Sequence, residues 1–250
     1  MKPMRVSKIV FACVLGGSLL GILMRASVPE GNLTAEAKDL IKLGMGLIAT
    51  ISALVLGLLI ASAKGSFDTQ HNGLAQTSAN VIFLDRVLAH YGKEAKEARD
   101  LLRRSVVNLL EQFWPEDGSR PANVAPAPGS EALYERIQEL SPETEAQRAL
   151  QAQALKTGID IARARWSLFA QRGSSIPTPF LVVLGFWLTI LFTSFSLFAP
   201  PNPTVLVTLL VCALSVSAAI FVIMELDQPF GGWIQVSSAP LREALAQLGR

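Results

Sequence analysis

The sequence predicts an all-α integral membrane protein with four transmembrane helices and a cytoplasmic, coiled-coil-like antiparallel hairpin between the second and third. Three observations carry this. Half of the 250 residues are hydrophobic and only 17% are charged, against about 25% charge in a soluble domain, and the mean hydropathy is +0.39. The missing charge is concentrated in four long apolar stretches, each near the roughly 20 residues a helix needs to cross a bilayer. Between the second and third stretches the composition becomes that of a soluble helical domain, with apolar residues at alternating steps of three and four. A net charge of +2 excludes the strongly basic face of a nucleic-acid binder.

The first span runs over about 9–24, between Lys8 and Arg25. It is short, about 24 Å by the helical rise, and its two flanking cations can snorkel to make up the difference. A signal peptide competes with this reading, since Lys2, Arg5 and Lys8 form a basic n-region. The length of the run, Arg25 directly after it and the lack of an A-x-A site favour a retained helix. The second span, about 43–63, is uncharged throughout. It completes an N-terminal transmembrane hairpin over 1–64. The third and fourth spans, about 180–199 and 205–224, form a second hairpin over 179–225, turned at Pro200-Pro201-Asn202-Pro203, a loop short enough to force antiparallel helices. A tail over 226–250 follows.

With the N-terminus inside, nineteen of the twenty-two Lys and Arg fall on one side, leaving Arg25, Lys38 and Lys42 on the other. This asymmetry places both termini and residues 65–178 in the cytoplasm, at a bacterial inner membrane. Cys13 and Cys212 lie inside apolar runs, which argues against a disulfide or thiolate metal site and for buried thiols.

In the 65–178 region, Val81, Leu84, Leu88, Tyr91, Ala95, Ala98, Leu102, Ser105 and Leu109 form one continuous seam, with Gly92 as a tolerated weak point. Proline ends it at Phe113-Trp114-Pro115. A Pro-rich connector covers 115–130. A second helix is expected with Ser141 as N-cap, Pro142 in the first position and Glu143 in the first turn, continuing the seam through Leu155, Ile159, Ala162, Trp166 and Phe169. The two seams should pack antiparallel. Charged faces such as Lys93–Arg99 read as solvated helix surface.

Within the spans, Cys13, Gly17 and Gly21 recur every fourth residue, as do Ala53, Gly57 and Ala61. Small residues at this spacing let helices approach closely, and bundle packing is favoured over pore lining as their use. Thr189, Thr193 and Ser196 share a face of the third span, where bonding back to the helix is the favoured use. No ionisable residue lies inside any span, which favours a channel or a structural anchor over proton relays, voltage sensors and ion-coupled carriers. A passive pore needs none, because dewetting and hydroxyl or backbone dipoles can gate and select. Enzyme chemistry has little to build on: His71 and His90 are the only histidines, and no H-E-x-x-H, G-x-S-x-G or phosphate-binding glycine loop is present. Asp68, His71, Asp85 and Arg86 read as salt-bridged helix surface. No metal or cofactor site is assigned, since Glu225 and Asp227 are too few for calcium and fit a helix end with a Pro-Phe-Gly turn.

Four segments together resemble the bestrophin-like family of bacterial four-helix membrane proteins: LVLGLLIASAKGSFD over 54–68, LDRVLAHYG over 84–92, Arg163-x-Arg165-Trp166, and ELDQPFGG over 225–232. More distantly, the chain is similar to bestrophins proper, pentameric anion or cation channels whose second helix lines the pore and continues into the cytosol. Their Ser-Tyr-Asp-like step corresponds to Ser66-Phe67-Asp68, and their Asn-Pro-Phe-Gly turn to Gln228-Pro229-Phe230-Gly231. The acidic run that follows the turn in calcium-gated members is replaced here by Gly232-Trp233-Ile234-Gln235-Val236, and the aromatic neck rings have no counterpart in the second span.

The resemblance implies a homo-oligomer, a pentamer, in the lipid bilayer. The leading expectation is a passive pore for inorganic ions, lined by the second span, with Ala53, Gly57, Ile60, Lys64 and Asp68 on the pore face or at its mouth. Glu225, Asp227, Pro229, Phe230 and Gly231 form the family turn after the fourth span. The alternative is a membrane-anchored scaffold whose coiled-coil hairpin binds a partner protein. A membrane enzyme is the least favoured class.

Overall fold

The structure is a computed structural model and describes residues 3–27, 35–115, 129–170, 176–199 and 202–249. Its elements are helical: α1 (Pro3–Ser27), α2 (Ala35–Tyr91), a short 3-10 turn (Lys93–Ala95), α3 (Lys96–Phe113), α4 (Gly129–Gln138), α5 (Glu145–Ala170), α6 (Thr178–Phe198), α7 (Pro203–Leu226) and α8 (Ala239–Gln247). Four of these, α1, α2, α6 and α7, contain segments long and apolar enough to cross a membrane. The chain divides into two compact units, Met1–Ser66 with Ser174–Asp227, and Phe67–Gly173 with Gln228–Arg250. Most of the connector, 116–128, and the prolines of the expected second turn, Pro200 and Pro201, lie outside the described residues.

In the first unit α1 packs against α6 and α7, and the fit is set by glycine. A Cβ added at Gly17 would lie 2.7 Å from Thr193 Oγ1 and 2.8 Å from Thr189 Cγ2; one added at Gly21 would collide with the Thr193 carbonyl and lie 2.8 Å from Ser196 Cβ. Gly17 and Gly21 of the α1 stripe are therefore packing positions, as their spacing suggested, whereas Cys13 at its start is exposed. Two of the three hydroxyls on the α6 face bond back within their own helix, Thr189 Oγ1 donating to Gly185 O at 2.7 Å and Thr193 Oγ1 to Thr189 O at 2.7 Å, whereas the buried Ser196 Oγ has no hydrogen-bond partner among the described residues. Ser7 Oγ donates to Ser217 O at 2.9 Å. Arg25, expected only to snorkel, donates to the Ala199 carbonyl at the end of α6, where a cation meets the negative end of the helix dipole. Proline opens both α6 and α7, where a missing N–H costs nothing.

The expected burial fails for both of this unit's thiols. Cys13 and Cys212 are free and exposed, not buried. Apolar neighbours in sequence signal burial in a soluble domain, but a membrane-crossing helix is apolar on its outward face as well.

In the second unit α2 does not carry the seam onward as one helix. It stops at Tyr91, Gly92 adopts φ 132°, and a 3-10 turn leads into α3. Gly92 is thus the break and not a weak point, because its φ 132°, ψ −171° is a region essentially closed to side-chain-bearing residues. Leu84, Leu88, Tyr91, Ala95, Ala98 and Leu102 are nonetheless all buried, since the heptad phase survives the turn. Gly92→Ala is expected to lower stability by about 2 kcal/mol, read as a shift in the thermal unfolding midpoint.

The second helix of the region also differs from expectation. Ser141–Glu143 are not helical; α5 begins at Glu145 and is capped by Thr144. Thr144 Oγ1 accepts from Gln147 N at 3.1 Å, and Gln147 Oε1 accepts from Thr144 N at 3.3 Å and Glu143 N at 2.9 Å. This capping box outcompetes the Ser-Pro-Glu signal because both its members bond reciprocally. Gln147 Nε2 also donates to Tyr91 O at 3.1 Å, so the start of α5 holds the end of α2. A further helix, α4, begins at Gly129 inside the expected connector and packs against both α3 and α5. Gln151 Nε2 closes the end of α4, donating to Ile137 O at 3.0 Å and Leu140 O at 2.7 Å.

Candidate functional site

The expected pore residues lie on α2. Ala53, Gly57, Ile60 and Lys64 are exposed and Asp68 is half-buried. They follow one another at steps of four and three, which keeps them on one face. The face that α2 buries is a different one, carrying Ser52, Leu59 and Ala63. A Cβ added at Gly57 meets nothing within 4 Å, and the same holds at Gly46. The small-residue positions of α2 are therefore open where those of α1 are filled.

The stripe is longer than the sequence reading made it. Thr50 and Gly46 extend it by further steps of three and four, both exposed, with Thr50 Oγ1 bonded back to Gly46 O at 2.8 Å. One more step of four reaches Lys42, whose Nζ lies 3.3 Å from Asp39 Oδ1. From Lys42 to Lys64 the helical rise spans roughly 33 Å, close to the hydrocarbon thickness of about 30 Å. A row of Gly, Thr and Ala thus runs between two lysines set one membrane thickness apart. The neighbouring exposed face of α2 is unlike it: Leu43 and Leu54 are each 74% exposed, with Leu47 and Leu58 beside them. The four-residue spacing could have revealed Gly46 and Thr50, but Leu47 and Ile48 between them hide the pattern in a continuous apolar run.

The polar step after the second span does not interrupt the helix. Lys64-Gly65-Ser66-Phe67-Asp68 lies within α2, which continues for 57 residues, roughly 85 Å. A single Gly without a following Pro costs only about 1 kcal/mol in a helix, and this is too little to stop one of that length.

The family turn divides into two parts. Glu225 and Asp227, at the end of α7 in the first unit, are both buried and both engaged, with Asp227 N donating to Ile223 O at 3.1 Å. Pro229, Phe230 and Gly231 belong to the second unit, where the turn is a packed post. Phe230 meets Phe113 edge-on at 4.8 Å and Trp114 at 5.6 Å between ring centroids. Trp114 Nε1 donates to Val236 O at 3.0 Å, and Val236 N donates to Pro229 O at 2.9 Å. Gly231 N closes the turn on Gln228 O at 3.1 Å. In the sequence Trp114 is simply the residue before a helix-stopping proline; its role as a clamp depends on Val236, 122 residues away.

Asp85, one of the clustered polar residues, is structural. It is 3% exposed at its side chain and accepts two bonds from Arg99 of α3, at 2.7 and 2.9 Å, and one from Gly249 N at 3.3 Å. The hydrogen bond to Asp85 raises the Arg99 pKa above its ordinary value, and the C-terminal segment after α8 is tied to α2 through the same carboxylate. Among the described residues no three His, Cys, Asp or Glu come together as a metal site.

This fold and this helix define an all-helical membrane protein with a bare, small-residue face on its longest helix. The sequence profile of the bestrophin-like domain matches residues 12–241, and the chain belongs to the bestrophin-like family. The fold is similar to the crystal structure of a bacterial bestrophin homolog from Klebsiella pneumoniae carrying a point mutation, with a TM-score of 0.68, 13% identity and 96% of each chain covered. Comparison with curated protein sequences found no match.

Proposed function

We propose that the chain assembles with copies of itself around the exposed stripe of α2 to form a passive ion pore. The observation that carries this is the contrast between two small-residue stripes. In α1 the stripe is closed by α6, whereas in α2 Gly46 and Gly57 face nothing within the chain. An exposed polar-ended stripe flanked by exposed leucines suits a helix that turns its small face to a shared axis and its leucines to lipid or a neighbouring subunit. Small side chains leave room for a water-filled path, and Thr50 and Ile60 can supply a hydroxyl and an apolar constriction.

In this reading Gly46, Thr50, Ala53, Gly57 and Ile60 line the pore, and Lys64 and Asp68 stand at its cytoplasmic mouth. Residues 65–178 and both termini are cytoplasmic in this reading, which the distribution of Lys and Arg supports. The bestrophin resemblance supports reading the assembly as a pentamer in a bacterial inner membrane. The chain is a transport protein and not an enzyme, and the family turn at Pro229-Phe230-Gly231 is a scaffold element. The absence of ionisable residues from the apolar spans fits conduction down a gradient without coupling.

Planar-bilayer recording of the purified protein tests this. Currents above the lipid background under a salt gradient are expected, and their absence in every gradient would sink the proposal. Gly57→Trp is expected to remove most of the current while leaving the assembled particle intact by size-exclusion chromatography, since in this reading position 57 faces the water-filled path and a Cβ there meets nothing within the chain.

A further inference from the structure

The second unit contains a cavity of about 580 Å³ bounded by α2, α3, α4 and α5. Its walls carry both heptad seams: Val81, Leu102 and Leu109 from the first, Ile159, Ala162 and Trp166 from the second. The seams face a common space instead of closing on each other. That explains why Ile159 and Trp166 are 37% and 58% exposed despite their core-like spacing. Such a volume lies within the roughly 300–1,000 Å³ of small-molecule sites, which are lined by apolar side chains with few polar groups.

The polar groups decide what the cavity would hold. Arg165 forms part of the wall and is 7% exposed, whereas Glu131, Glu135 and Arg163 at the cavity are exposed. Burial pushes the Arg165 guanidinium below its ordinary range, a sign of low-dielectric surroundings in which a charge acts strongly. The exposed carboxylates are screened by solvent and count for little beside it. A guanidinium offers five N–H donors in a fixed fork, so it can engage a planar carboxylate in addition to neighbours it already touches.

We infer that this cavity binds a small amphiphilic carboxylate, with the carboxylate on Arg165 and the hydrocarbon chain along Leu102, Leu109, Ile159 and Trp166. The site lies within the second unit, and its occupancy is independent of whether the chain conducts ions. Gly158 provides a clean lever: it lines the cavity and a Cβ there meets nothing within 4 Å, so a larger side chain fills the space without displacing its neighbours and favours the helix.

The test is calorimetric titration of octanoate into the full-length protein in lipid nanodiscs, with empty nanodiscs as reference. Saturable binding of one octanoate per chain is expected. Gly158→Leu should weaken it by at least about tenfold with the unfolding temperature not lowered and the particle size unchanged. Arg165→Met should weaken it by about tenfold or more, and octan-1-ol should bind the unaltered protein correspondingly less well. No saturable uptake, equal uptake of octanoate and octan-1-ol, or full binding by Gly158→Leu would each overturn the inference. So would a change of particle size in Gly158→Leu, because the cavity would then be a contact between copies of the chain.

Discussion

Gly21→Val is expected to prevent α1 from seating on α6. The added carbons would meet the Thr193 carbonyl and Ser196 Cβ, and a backbone carbonyl inside a helix cannot move aside as a flexible side chain can. Overpacking of a core costs about 1–3 kcal/mol and more where nothing yields; at Gly21 at least about 3 kcal/mol is expected, a large share of a stability of about 5–15 kcal/mol. The readout is thermal unfolding of the detergent-solubilised protein together with its elution profile. Gly57→Val, the same change on α2, should leave both nearly unaltered, because a Cβ there meets nothing. If both variants behaved alike, the distinction between a filled and an open stripe would fail.

Phe230→Ala is expected to be comparably severe in the second unit. Phe230 is buried and is held edge-on by Phe113 and Trp114. Truncating a buried Phe costs about 3–5 kcal/mol, of which each aromatic pair accounts for about 0.5–1.5 kcal/mol beyond area. The Trp114 bond to Val236 O should loosen with it, so protease cleavage within 228–250 should accelerate. Phe230→Leu keeps most of the volume and should cost markedly less. A Phe230→Ala protein with unchanged unfolding and unchanged cleavage would contradict the turn's role as a packed post.

The sequence made the apolar helices legible because the absence of charge over some twenty residues has few other meanings. The stripe on α1 was legible by spacing, though spacing alone could not tell that Gly17 and Gly21 meet α6 while Gly57 meets nothing. The break at Gly92 was hidden because a heptad phase that continues from Leu88 through Ala95 to Leu102 looks the same whether or not a turn interrupts it. Helix α4 was masked by the proline content just before Gly129, and α5 began late because the Thr144–Gln147 capping box is a stronger start signal than Ser141-Pro142. The seam of α5 has core spacing but a different use, because Ile159 and Trp166 are exposed and wall a cavity. Pairings such as Asp85 with Arg99 and Trp114 with Val236 follow from tertiary packing and leave no periodic trace.

The central claim is that α2 turns its small-residue stripe to a conducting path. Cysteine accessibility under recording tests it most directly, in a background with the exposed Cys13 and Cys212 changed to serine. A charged, water-soluble thiol reagent is expected to block the current of Gly57→Cys and to leave Leu58→Cys, on the neighbouring leucine face, unaffected. Block at Leu58→Cys with none at Gly57→Cys would contradict the account.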